Sequence, residues 1–217
     1  KLSIPQRSSI VRSRNKSPKR TLKTRVILFG LCCIAVVSLV LLVLPYLPRL
    51  LFLIQRPKID ATSYQAAAQA TKNGRPSSPE VAKPGNRLIL PSIGVDAQVI
   101  DGSNIYVIGK NQGVWRETGT IDPSENGNIV IAGHRFLYTA TNGGWFYSLP
   151  ELKNGQKIYI RWQDKTYEYE VYNSKTVMPS EVDIRDNDPN VPKKLTMYTC
   201  YPLGSTAKRF VIEAMQL

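Results

Sequence analysis

The hydrophobic and polar positions of this chain fall into three regimes. From 26 to 44 the sequence reads VILFGLCCIAVVSLVLLVL, almost wholly apolar, and no charge occurs between Arg25 and Arg49. At about 1.5 Å of rise per residue, such a run matches the roughly 30 Å hydrocarbon core of a bilayer. A buried core helix of this length would normally keep a polar face, so the pattern predicts a membrane span over 26–48, ended by Pro45 and Pro48. A basic flank followed by an apolar run is also the pattern of a cleaved signal peptide. This run is too long for one, however, and no small-x-small cleavage site follows it. Leu31 before Cys32 likewise argues against a lipoprotein signal, and an uncleaved signal anchor is the reading that remains.

Beyond the span, 49–86 is expected to form an interfacial segment (RLLFLIQR, 49–56) and then a linker or stalk. The composition there shifts to Ala, Gln, Lys, Pro and Ser, with a short helix-prone piece at 63–71 before the breaker-rich GRPSSPEVAKPGN. From 87 to 217 the pattern changes again, to short β-type runs separated by Gly, Pro, Asn and Asp. Candidate strands are 87–90, 97–100, 106–108, 113–117, 128–132, 157–162, 166–174, 195–199 and 209–215. Alternation is clearest where Tyr167, Tyr169 and Val171 interleave with Glu168 and Glu170. Eight or nine short strands at this spacing predict a mostly β domain, a closed barrel.

Charge alters the list of partners. The 217 residues carry 29 Lys and Arg against 16 Asp and Glu, a net of +13, which by itself points to nucleic acid. Twelve of the cations precede Ile59, where there is no acid at all, and the remaining 17 face all 16 acids. Nucleic acid is therefore not expected as a partner. The tail 1–25, with nine cations, instead reads as the cytoplasmic flank of the span, which places 87–217 on the extracytoplasmic side of the cell membrane.

Chemistry-bearing residues are scarce. One histidine, His134, and three cysteines, Cys32, Cys33 and Cys200, leave no basis for a His/Cys zinc site. Cys200 alone lies outside the apolar run, so it has no disulfide partner within the domain. Taken alone, it reads equally as a small core residue or as a used thiol. His134 and Arg209 are similarly ambiguous in isolation. Context narrows them: His134 follows the strand-like GNIVIAG, Cys200 ends LTMYTC, and Arg209 opens RFVIEA. Three functional groups at strand ends can converge on one rim of a barrel.

These segments resemble the sortase family. The run Thr196, Met197, Tyr198, Thr199, Cys200 is similar to the T-L-x-T-C signature, with Met where Leu is usual. GNIVIAGHR (127–135) resembles the family's histidine motif, Arg209 matches its arginine, and RLILPSIGV (87–95) resembles its first barrel strand. Tyr201-Pro202 and the nine-residue step to Arg209 look more like class C or D than class A. The resemblance implies a cysteine transpeptidase without cofactor or metal. Cys200 would attack the Thr carbonyl of an LPXTG-like sorting signal of a secreted protein, His134 would protonate the departing amine, and Arg209 would hold the peptide and stabilise the oxyanion. A peptidoglycan precursor or pilin amine would then resolve the thioacyl enzyme.

Thr199, Trp145 and Tyr147 are further candidates for substrate contact, weighed against a plain strand threonine and ordinary aromatic core packing. The acidic run Glu181, Asp183, Asp186, Asp188 lacks the glycine and distal glutamate of a calcium loop and is expected to be a solvated or mobile loop. Two other functions compete: a membrane-anchored β-barrel adhesion module without chemistry and, more remotely, an L,D-transpeptidase. The second keeps its histidine beside the cysteine, whereas His134 and Cys200 lie 66 positions apart.

Overall fold

The computed structural model describes residues 22–44, 54, 57–76, 84–108, 113–135 and 145–217. Most of the basic tail, Pro45 and Pro48, and nearly all of the interfacial stretch 49–56 lie outside the described residues. Helix α1, Leu22–Val43, is apolar around its whole circumference from Val26 onward, beyond Lys23 and Arg25 in its first turn, and has no buried residue within its own unit. Its 22 residues make it long and apolar enough to cross a membrane.

The second unit is a closed barrel of eight strands. They are β1 (Arg87–Leu90), β2 (Val95–Asp101), β3 (Val114–Arg116), β4 (Gly127–Ala132), β5 (Lys157–Trp162), β6 (Lys165–Val177), β7 (Lys193–Tyr201) and β8 (Lys208–Gln216). Around the barrel the order is β1-β2-β3-β4-β7-β8-β6-β5, and β5 closes the ring onto β1 through pairs such as Leu88 with Ile160. The β2–β3 and β4–β7 pairs are parallel and the others antiparallel. Closure removes both sheet edges. It also encloses one apolar core, which includes Leu88, Ile129, Ile158, Tyr169, Met197 and Ile212.

Eight of the nine expected strands are present. The ninth, 106–108, is instead part of a short 3-10 turn, Ile105–Ile108. Asn104 explains the difference: its Oδ1 accepts from the Tyr106 N–H at 3.0 Å and its carbonyl from the Val107 N–H at 3.3 Å. These local bonds displace a ladder despite three apolar residues in a row. β6 extends three residues past its expected end because Lys175, Thr176 and Val177 pair with Val211, Phe210 and Arg209 of β8.

Part of the expected stalk is docked on the barrel rather than standing off from it. Helix α2, Ala61–Lys72, is capped by Asp60, whose side chain accepts from the Thr62 N–H at 2.9 Å. Ala67 and Ala68 are buried, Tyr64 stacks on Tyr159 of β5 at 5.9 Å, and Thr71 Oγ1 accepts from the Thr166 N–H of β6 at 2.9 Å. Small alanines at the contact let the helix come close, which composition alone does not signal.

The outer wall of β4, β7 and β8 is also covered. Alternation turns Ile129, Leu195, Met197 and Ile212 inward and Asn128, Thr196, Tyr198 and Val211 outward. Asn128 Nδ2 donates to the carbonyls of Ile184 and Asp186 at 3.0 and 3.2 Å, and its N–H donates to Asn187 Oδ1 at 2.9 Å. Ile184 packs with Val177 and Val211. The acidic segment is pinned to the wall through its backbone and Ile184, while Glu181, Asp183 and Asp186 stay exposed to solvent, as expected, and Asp188 is partly exposed.

Candidate active site

The parallel β4–β7 register ends with Ala132 beside Tyr198. One step further the Gly133 N–H donates to the Tyr198 carbonyl at 3.3 Å, and Thr199 Oγ1 donates to the Gly133 carbonyl at 2.7 Å. His134 is the next residue after this last contact between the exit of β4 and β7. On the other side of β7, Cys200 pairs directly with Arg209. Adjacent strands lie about 4.8 Å apart, so the thiol and the guanidinium stand at one level, and the histidine follows two residues beyond the end of β4. All three line a cleft of about 350 Å³ on the outer wall near the barrel mouth. The expected rim is thus the outside of the wall, because the outward-facing set of β7 includes Cys200.

The cleft is walled by Ile105, Tyr106 and Trp115 on one side and by Met178, Pro179 and Ile184 of the β6–β7 connection on the other. Glu181 and Arg185 add charge to an otherwise apolar wall. Gly133 has a steric reason to precede His134: a Cβ there would meet the Phe146 ring at 2.7 Å. Phe146 is fully buried, and its N–H donates to the His134 carbonyl at 3.3 Å, which fixes where the chain leaves β4.

The His134 imidazole is half-buried, and burial pulls its pKa below the ordinary value near 6.5. The ring is therefore mainly neutral at pH 7, with a lone pair able to accept a thiol proton. Cys200 is partly exposed and reduced. Arg209 Nη1 donates to the carbonyls of Thr206 and Lys208 at 2.9 and 3.0 Å, which tethers the guanidinium to the β7–β8 turn beside the thiol.

Thr199 reaches the cleft, but its hydroxyl is buried and bonded to Gly133, so it joins β7 to the end of β4. Trp145 and Tyr147 are not among the cleft residues. Trp145 packs against the barrel core, and Tyr147 is half-buried with its carbonyl accepting from Arg135 Nε at 3.3 Å. Sequence reading passed over Tyr198, Glu117 and Arg185. The Tyr198 phenol is pushed up to about 12 by burial and the Glu117 charge, and it donates to Glu117 Oε1 at 3.1 Å. Arg185 forms a two-pronged pair with Glu117, at 2.8 Å on each prong. Tyr198 alone had a sequence signal, since it stands two before Cys200 and so shares its face. Among the described residues no three His, Cys, Asp or Glu side chains converge on a metal-sized site.

A protein-family model described as the sortase domain matches residues 88–217. Among curated relatives, sortase D of Bacillus subtilis is 24% identical over 156 residues, covering 70% of this chain and 74% of that protein. Sortase A of Listeria monocytogenes is 29% identical over 124 residues, covering 57% of this chain and 52% of that protein. Among solved structures, sortase C-1 of Actinomyces oris superposes with a TM-score of 0.54 at 27% identity, over 75% of this chain and 85% of the other. Sortase A of Corynebacterium diphtheriae gives 0.55 at 23% identity, over 74% and 70%, which bears on the fold alone. With the family match spanning the barrel from β1 to its last residue, this chain belongs to the sortase family, whose activity is cysteine transpeptidation.

Proposed function

We propose that this chain is a membrane-anchored cysteine transpeptidase that cleaves an LPXTG-like sorting signal between Thr and Gly and joins the Thr carbonyl to an amine. The observation that supports it most is that Cys200, paired with Arg209 across β7 and β8, shares one cleft with His134. In this reading, neutral His134 accepts the Cys200 proton and the thiolate attacks the Thr carbonyl carbon. Arg209 donates to the carbonyl oxygen as it gains charge. The tetrahedral adduct collapses by breaking the C–N bond to Gly, and the proton on His134 goes to the departing amine. A thioester remains. A second amine, from a peptidoglycan precursor or a pilin lysine, attacks it; His134 takes the surplus proton and returns it to the sulfur. One amide is exchanged for another, so no energy source or cofactor enters.

In the same reading, residues 26–48 anchor the chain in the bacterial cell membrane, the basic tail 1–25 stays in the cytoplasm, and 87–217 works outside. The test is a panel of quenched fluorescent LPXTG-type peptides offered with glycine, diaminopimelate and lysine acceptors. The expected result is a ligated product with the wild-type chain and none with Cys200→Ala. Equal signal from both would return the chain to the adhesion-module reading.

A further inference from the structure

His134, Cys200 and Arg209 each have a C-terminal neighbour, and these three neighbours also meet. The Arg135 Cζ lies 5.2 Å from the Tyr201 ring centroid, and the Tyr201 and Phe210 rings lie 5.9 Å apart, tilted by 40°. Phe210 packs on the barrel core. A second layer thus stands behind the first across the ends of β4, β7 and β8. Its cation is unusual. Arg135 is half-buried, its Nε donates to the Tyr147 carbonyl at 3.3 Å, and its Nη1 is buried with no hydrogen-bond partner. Desolvation lowers its pKa, and the groups whose charge opposes this are Tyr201, Tyr147 and Cys200, none of them a carboxylate. A desolvated cation without a carboxylate costs stability. Of those three groups, the thiol is the one that the proposed reaction converts to an anion.

From this geometry we infer that Arg135 is a positioning residue for the reaction, bracing Tyr201 and the Tyr147 carbonyl so that His134 faces Cys200 and placing a cation near the thiolate. The inference rests on the reading of Cys200 as the nucleophile. Other charged or titratable groups around the thiol are His134 at the end of β4, Arg209 on β8, Tyr198 on its own strand, and Glu181 and Arg185 across the cleft. They stay constant in the comparison.

The test uses the full chain in detergent. Cys200 alkylation by iodoacetamide at pH 7 is followed by peptide-resolved mass spectrometry, since Cys32 and Cys33 also react, alongside peptide turnover and thermal melting. Arg135→Ala is expected to slow alkylation about tenfold, through loss of a nearby cation that favours the thiolate. It should lower kcat by about tenfold to a hundredfold with little change in KM. Tyr201→Leu should lower kcat similarly, Tyr201→Phe should restore it by keeping the ring, and Arg135→Ala with Tyr201→Leu should be no worse than Arg135→Ala alone. Should Arg135→Ala fail to fold, Arg135→Lys is expected to keep alkylation while losing kcat, because an ammonium cannot reproduce the planar fork; full kcat in that variant overturns the inference. Alkylation that is unchanged or faster in Arg135→Ala, together with a lower melting point, also overturns it, since that is the signature of a purely structural brace. Slowed alkylation in a chain that turns over no sorting peptide supports Arg135 and counts against the substrate reading alone.

Discussion

A neutral imidazole beside a thiol sets the direction of the pH dependence. Burial lowers the His134 pKa below about 6.5, so a protonated ring, unable to accept the thiol proton, becomes common only below that value. The acid limb of kcat/KM is therefore expected below pH 6.5 and should disappear with the residual activity of His134→Ala; a limb at or above 6.5 would contradict the burial argument. Arg209→Lys should cost about a hundredfold to a thousandfold in kcat, as the loss of one oxyanion donor typically does; unaltered turnover would remove Arg209 from the mechanism. Glu213 sits behind the site, nearly buried with Lys194 on the wall of β7 and β8. Burial raises its pKa, but hydrogen bonds from Lys194 and Asn173 and the charges of Lys194 and Lys175 outweigh that and hold it below the ordinary carboxylate value. Its stabilising contribution is thus full above about pH 4.3 and is lost as pH falls through the lowered value. Glu213→Gln leaves Lys194 buried without its counterion and should destabilise by about 3–5 kcal/mol at pH 7, with the gap to wild type narrowing below pH 4 in urea melts.

At the level of elements, the site depends on one unusual pairing. β4 and β7 are 60 residues apart in sequence, yet lie parallel and in register, and a strand-exit histidine and a strand-end cysteine come to line one cleft. Strand endings at Gly133 and Pro202 were legible because glycine and proline punctuate ladders. The pairing itself was not, since apolar strands such as NIVIA and LTMYT carry no mark of their partner. The same holds for the β6–β7 segment. Its acidic side chains face solvent, as their charge suggests; what the charge does not mark is that Ile184 and the Asn128 amide hold the backbone on the wall and Arg185 fixes it to Glu117. Trp145 and Tyr147 misled for a related reason: an aromatic run after a catalytic-type histidine is needed first to support the turn, and Phe146 under Gly133 does so. Arg185→Ala should leave Glu117 without its cation, cost about 1.5–3 kcal/mol in thermal stability and raise KM more than it lowers kcat, because it loosens the substrate wall and leaves the thiol in place. A pure kcat defect would mean that Arg185 acts at the reacting atoms instead.

Over the whole chain, the uneven charge and the apolar run separate the two units more plainly than any strand pattern does. The barrel closes on itself and carries its own core, and α2 is docked on it from Ala61 onward. Removing residues 1–56 should yield a water-soluble protein with the barrel's melting behaviour and unchanged kcat/KM toward soluble sorting peptides. The full chain should sediment with membranes and resist high-salt extraction, because its attachment is apolar rather than ionic. Orientation is tested separately. With the basic tail inside, protease added to intact spheroplasts should remove the barrel and leave a short membrane-embedded fragment. A barrel protected until the cells are lysed would reverse the topology and, with it, any access to exported sorting signals.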